Sequence, residues 1–184
     1  MSLNESNLNR FGHRRLGKHK MTAVRYAASD VADWFLRRVD RGSGDSITQL
    51  KLQKLVYYAQ AWHLANFNKP IFREEMEAWK HGPVAPSLWR AYSDQRWNAL
   101  PVPSGKGVPF DGDLDSFLNA ILDTYGKYEA KYLEDLTHKE NPWKQTRGDL
   151  KPYENCSDPI SKKLMRDYYA ARIKKAWSGP VISN

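Results

Sequence analysis

The chain predicts a mainly α fold: a compact single-domain helical bundle with a small β hairpin or short sheet around residues 70–85. Three observations predict it. Apolar residues recur at helical spacing in several separate stretches. Proline and glycine cluster between those stretches and mark where they stop. Only the segment from Ile71 to Lys80 has extended character, around Ile71-Phe72 and Glu77-Ala78-Trp79-Lys80. At 184 residues the chain suits one well-buried domain.

Residues 1–20 are polar and lack periodicity, and they read as a flexible basic arm reaching to about residue 22, or as sequence upstream of a second start at Met21. Ordered structure is expected from Tyr26. Ser29 can cap a first helix, with Val31, Phe35, Leu36 and Val39 facing inward. Arg41-Gly42-Ser43-Gly44-Asp45 ends it in a turn-rich loop. Thr48 can cap the second helix, which runs to about Asn66, and Ile47 before it can staple the chain entry. On that helix Leu52, Leu55, Val56, Ala59, Trp62 and His63 form one broad face. Tyr57, Tyr58, Trp62 and His63 crowd the same turns, which suits either a thick mixed core or a protein-binding surface.

Asn68-Lys69-Pro70 breaks the helix. After the extended segment, His81-Gly82-Pro83-Val84-Ala85-Pro86 reads as a loop, and Ser87 can cap a helix through Leu88, Trp89, Ala91 and Tyr92. Residues 101–112 are a loop rich in Pro and Gly. Phe117, Leu118, Ile121, Leu122 and Tyr125 predict a helix that stops at Gly126, and a shorter one covers Glu129 to Thr137. Asn141-Pro142-Trp143 forbids simple continuation, because the residue before proline is pushed out of the helical region. A polar stretch leads to a last helix over Ser161–Trp177. The expected domain covers 26–150, with 151–184 as a C-terminal extension whose final helix packs on the same domain.

The formal net charge is +8, and residues 1–20 hold half of it: Arg10, Arg14, Arg15, Lys18 and Lys20 against Glu5. A second basic cluster, Lys162 to Lys175, sits in the last helix. Cys156 is the single cysteine, so intrachain disulfides and thiolate clusters are excluded. No apolar run reaches the roughly 18–20 residues of a membrane span, and no apolar leader core is visible, so a cytoplasmic protein with no membrane partner is expected. His63, His81 and His138 lack the paired spacing of a zinc site, and no glycine-rich loop opens a helix. No catalytic residue, metal or cofactor is expected. The bland reading gives His63 a core hydrogen bond, lets His81 fix its loop, and makes His138 a cationic helix-end cap.

Four blocks then carry a family resemblance: Ala32-Asp33-Trp34-Phe35-Leu36, the run from Ile47 to His63, the run from Glu77 to Trp89 around Gly82-Pro83-Val84, and Leu136-Thr137-His138-Lys139-Glu140-Asn141-Pro142-Trp143. Over about residues 27–147 the sequence resembles the Panacea domain, the SocA-like antitoxin family often labelled phage-associated proteins. The resemblance implies a mainly helical domain that binds a cognate protein toxin directly. It also implies that some members deliver the toxin to an intracellular AAA+ protease. Whether the Trp79–Trp89 and Thr137–Trp143 segments hold the fold or hold the toxin stays open at this point. Trp79, His81, Trp89, Arg90, Tyr92, His138 and Trp143 are the candidate partner-binding residues; Trp79, Trp89, Arg90, Tyr92, Trp97 and Trp143 supply the aromatic and arginine anchors, with at least half of those rings expected in the core. The alternative is a nucleic-acid-binding autoregulator using the arm cations and the last helix.

Overall fold

The computed structural model describes residues 5–9, 11 and 24–177, with backbone alone for 176 and 177. Arg10, Arg14, Arg15, Lys18 and Lys20 of the expected arm lie outside the described residues. The architecture is mainly α. Its helices are α1 (Ser6–Asn9), α2 (Ala28–Arg38), α3 (Gln49–Phe67), α4 (Pro86–Tyr92), α5 (Gly112–Tyr125), α6 (Ala130–Lys139), α7 (Asn141–Arg147) and α8 (Lys162–Trp177). An antiparallel hairpin, β1 (Glu77–Trp79) and β2 (Gly82–Val84), lies between α3 and α4.

Helix α3 is the axis of the domain. Thr48 caps it as expected, its hydroxyl accepting from Lys51 N at 3.3 Å. Asn68 ends it at φ 54°, a left-handed cap that asparagine tolerates. The expectation of one apolar face is corrected. Gln53, Lys54, Leu55, Val56, Tyr57, Tyr58, Ala59, Gln60, Ala61 and Trp62 are all buried, a continuous run that leaves no solvent side. A helix covered on every side is a core helix of the fold. Helices α2, α5, α6 and α8, together with β2 and α4, surround it.

The crowded rings are therefore core. Tyr58 stacks on Tyr125 with centroids 3.9 Å apart, Trp62 Nε1 donates to Tyr125 Oη at 2.8 Å, and Tyr169 packs edge-on against Trp62. Each such ring contributes about 2 kcal/mol or more through burial, and the hydroxyls find partners inside.

Three helix boundaries differ from expectation for local reasons. Ala27, not Ser29, is the N-cap of α2: the Asp30 carboxylate reaches back to accept from Ala27 N at 2.8 Å, and Glu74 accepts from Ala28 N at 2.9 Å. Ala85, not Ser87, precedes α4, because Pro86 already has the φ of a first helical residue. The Asn141-Pro142 break is real but short. Glu140 turns extended at φ −88°, ψ 140°, and a new helix, α7, restarts with Pro142 in its first turn. Proline is tolerated there because a first-turn amide has no helical partner to lose.

The N-terminal segment also departs from a free arm where it is described. Leu8 is fully buried, Phe11 is buried, and α1 packs on α5 and α8.

Candidate functional site

Several polar side chains of the signature blocks hold the hairpin. Gln53 clamps Ala85, accepting from its amide at 2.8 Å and donating to its carbonyl at 3.4 Å. Lys54 Nζ donates to the Pro83 carbonyl at 3.0 Å. Gln49 reaches the Trp89 carbonyl at 2.8 Å. From the other side Trp143 Nε1 donates to Trp79 O and Arg147 Nη1 to Ala78 O, both at 2.8 Å. The far edge of β1 is closed too: Ala78 N donates to Asp158 O and Ile160 N to Met76 O. These residues hold the fold, since a buried loop must have its backbone groups satisfied by side chains.

Gly82 sits at φ +88° in this clamp, and a Cβ there would lie 2.6 Å from Thr137 Oγ1 and 2.7 Å from Lys54 Nζ. Lys54 is wholly buried; burial pulls its pKa down to about 7, with the nearby Glu134 charge opposing. The neutral amine is thus the form that the interior favours.

What the clamp presents outward is aromatic. Trp79 and Trp89 meet at 5.4 Å between ring centroids, tilted by 58°. They wall a groove of about 620 Å³ completed by Lys80, His81, Leu150, Cys156 and Asp158. Trp89 is 43% exposed, and Leu150 42%. His81 stands on the lip and also borders a second groove of about 440 Å³ with Leu50, Trp97 and Glu129. Its Nδ1 lies 3.3 Å from Glu134 Oε1, to which Lys131 Nζ donates at 3.0 Å. Burial pushes the Glu134 carboxyl up, but hydrogen bonds from Lys131 and His81 outweigh it, so the group stays below its ordinary range.

Trp79, His81 and Trp89 thus come together at one groove, and exposed Arg90 follows Trp89 on α4. Tyr92 turns instead toward α2, its hydroxyl 3.5 Å from Asp33 Oδ1. Trp143 is buried, and His138 stacks on it at 4.1 Å. The expected cationic cap at His138 is corrected: burial pulls its pKa below the ordinary value, which favours the neutral ring. His63 is held as expected, Nδ1 donating to Lys69 O at 2.6 Å, and burial pulls it down to about 4. The expectation that at least half of the rings are core is also corrected. Of Trp79, Trp89, Tyr92, Trp97 and Trp143, Trp143 alone is buried.

Leu150 and Cys156 were not legible as site residues, because they arrive from a loop with no periodic pattern. Trp97, one of the expected anchors, is 74% exposed between Arg96 and Asn98. Several cations of the last helix are already paired: Lys162 with Glu75, Lys163 and Arg166 with Asp167, and Arg172 with Glu5. Among the described residues, no group of three or more His, Cys, Asp or Glu gathers as a metal site. No described helix is long and apolar enough to cross a membrane.

The domain is thus helical, and its signature residues brace a hairpin beneath an aromatic groove. Its class follows from comparison with known proteins. The family model for "Antitoxin SocA-like, Panacea domain" matches residues 52–144, half of the chain, and the chain belongs to this family. Antitoxin SocA of Caulobacter vibrioides (strain NA1000 / CB15N) is 31% identical to it over 109 residues, covering 53% of this chain and 58% of that protein. The chain therefore spans less than two thirds of that relative's length. No solved structure matches the chain.

Proposed function

We propose that the protein is an antitoxin that neutralises a cognate protein toxin by direct binding, with no catalytic step of its own, and that the Trp79–His81–Trp89 groove makes the contact. The indole pair, exposed Trp89 against half-buried Trp79, carries this reading within a family of SocA-like antitoxins. Two rings held by a rigid hairpin offer apolar area at small entropic cost, and buried Trp anchors are the residues that most often dominate protein interfaces. The hairpin cannot take an added strand at β1, because both of its edges are paired. Side chains rather than backbone would therefore make the recognition, and the groove suits an apolar anchor of the toxin. The same reading extends to handover of the bound toxin to an intracellular AAA+ protease.

The test is induction of the neighbouring open reading frame with and without this chain, read as colony counts. Rescue by the wild type, lost on Trp89→Ala while the variant stays folded, supports neutralisation through this groove. Toxicity that the wild type leaves unchanged contradicts neutralisation. Rescue by wild type and Trp89→Ala alike contradicts the placement of the interface. Measuring toxin lifetime in the same cells tests handover: an unchanged lifetime during rescue argues against a proteolytic step.

A further inference from the structure

On the opposite set of elements the chain binds a piece of itself. Glu5 accepts from Arg172 Nη2 at 2.7 Å and Nε at 3.1 Å, and from Tyr125 Oη at 3.0 Å. Leu8, three residues on, is fully buried where α1 packs on α5 and α8. Phe11, three further, meets Phe117 edge-on at 5.4 Å and Phe67 at 6.4 Å. Glu5 precedes and Phe11 follows the single turn Ser6–Asn9 that carries Leu8, and acid, aliphatic and aromatic side chains all meet the same groove.

We propose that this groove between α5, α8 and the end of α3 is a docking site for a short acidic-apolar helical segment of a partner protein. Glu5, Leu8 and Phe11 occupy it in cis as a displaceable stand-in. Two observations carry this. The occupant is a single turn, Ser6–Asn9, too short to be helical by its own propensity, so the groove imposes its shape. Its recognition is charge-complementary: with Glu5 gone, Arg172 would keep Tyr168 Oη at 3.2 Å as a neutral partner beside an apolar wall. Sixteen residues separate Phe11 from α2. A trans segment must therefore outcompete one that belongs to the same chain. The cis occupant therefore sets the threshold for partner binding. The proposal uses a different face from the tryptophan-lined groove and stands independently of it.

The probe is a fluorescein-labelled synthetic peptide of the chain's own residues 2–13, titrated into full-length protein. Leu8→Ser protein is expected to take up the peptide at least tenfold more tightly than wild type, since its own segment competes poorly. Adding Arg172→Ala is expected to weaken uptake at least tenfold, and a scrambled peptide should not bind. Folded Leu8→Ser protein that refuses the peptide overturns the proposal. Should Leu8→Ser fail to fold, a protease site inserted between residues 16 and 17 of the wild type replaces it. After cleavage, exchange of the freed segment for labelled peptide supports displacement; unfolding on cleavage, or a segment that never exchanges, overturns it. A concentration-dependent dimer that needs Glu5 of one copy and Arg172 of the other, without peptide uptake, makes a second copy the occupant and overturns the partner reading.

Discussion

Tyr169 in α8 donates its hydroxyl to Glu140 Oε2 at 2.6 Å, and this bond ties the last helix to the break between α6 and α7. Tyr57 and Tyr58 of α3 reach the same carboxyl at 3.5 Å each, so one buried group gathers three parts of the chain. Burial raises the Glu140 pKa to about 7, with the Tyr169 hydrogen bond and the Arg172 charge opposing.

The pH dependence of stability follows from that carboxyl. Its folded pKa lies above the unfolded value, so its contribution is complete below about 4.5 and is lost as pH rises through about 7. Glu140→Gln removes this loss. Denaturant unfolding of both proteins between pH 4.5 and 7 should show the variant gaining on wild type as pH rises, by on the order of 3 kcal/mol across the window. His63 acts in the opposite sense in both proteins: its lowered pKa, about 4, contributes stability above 6.5 that is lost as pH falls through 4. A difference between variant and wild type that is constant with pH would contradict the assignment.

Lys54 sets the alkaline limb. Its folded pKa is depressed to about 7, so the contribution is complete above 10.5 and is lost as pH falls toward 7. Wild-type stability should therefore climb from pH 7 to pH 9. Lys54→Met, whose side chain does not titrate, should show a flatter limb.

Gly82→Ala should cost about 2–4 kcal/mol, because it combines a left-handed φ with contacts under 3 Å to Thr137 and the buried tip of Lys54. Gly105→Ala is the control. Its φ is +73° but nothing lies within 4 Å of the added carbon, so about 1 kcal/mol is expected. Equal losses in thermal melts would mean that the clamp is looser than its geometry.

Trp143→Ala and Trp89→Ala should separate fold from interface. Trp143 is 4% exposed and holds the Trp79 carbonyl, so its loss should cost about 3–5 kcal/mol. Trp89→Ala should shift the melting temperature only slightly while abolishing rescue from the toxin. A Trp89 variant that melts early would make that ring structural.

Leu55→Asp places a charge in a wholly buried site on α3 and should prevent folding. Circular dichroism showing a soluble, cooperatively melting variant would mean that the axis of the domain has been misplaced.

Local chemistry in the sequence determined the helical class, the Thr48 and Asn68 ends of α3, the α5 stop at Gly126, the hairpin region and the family. Caps, prolines and glycines act within a few residues, so their effects are written beside them. Tertiary structure alone decided that α3 is covered on all sides. Helical periodicity reports one-sided burial, and a helix at the centre has no side left to report. It also decided the destinations of Gln53, Lys54 and Arg147, whose carbonyl partners lie 32, 29 and 69 residues away, and the docking of Glu5 on Arg172 across 167 residues. Such pairings have no local pattern, because they form only after packing has brought distant backbone together and left its polar groups in need of partners.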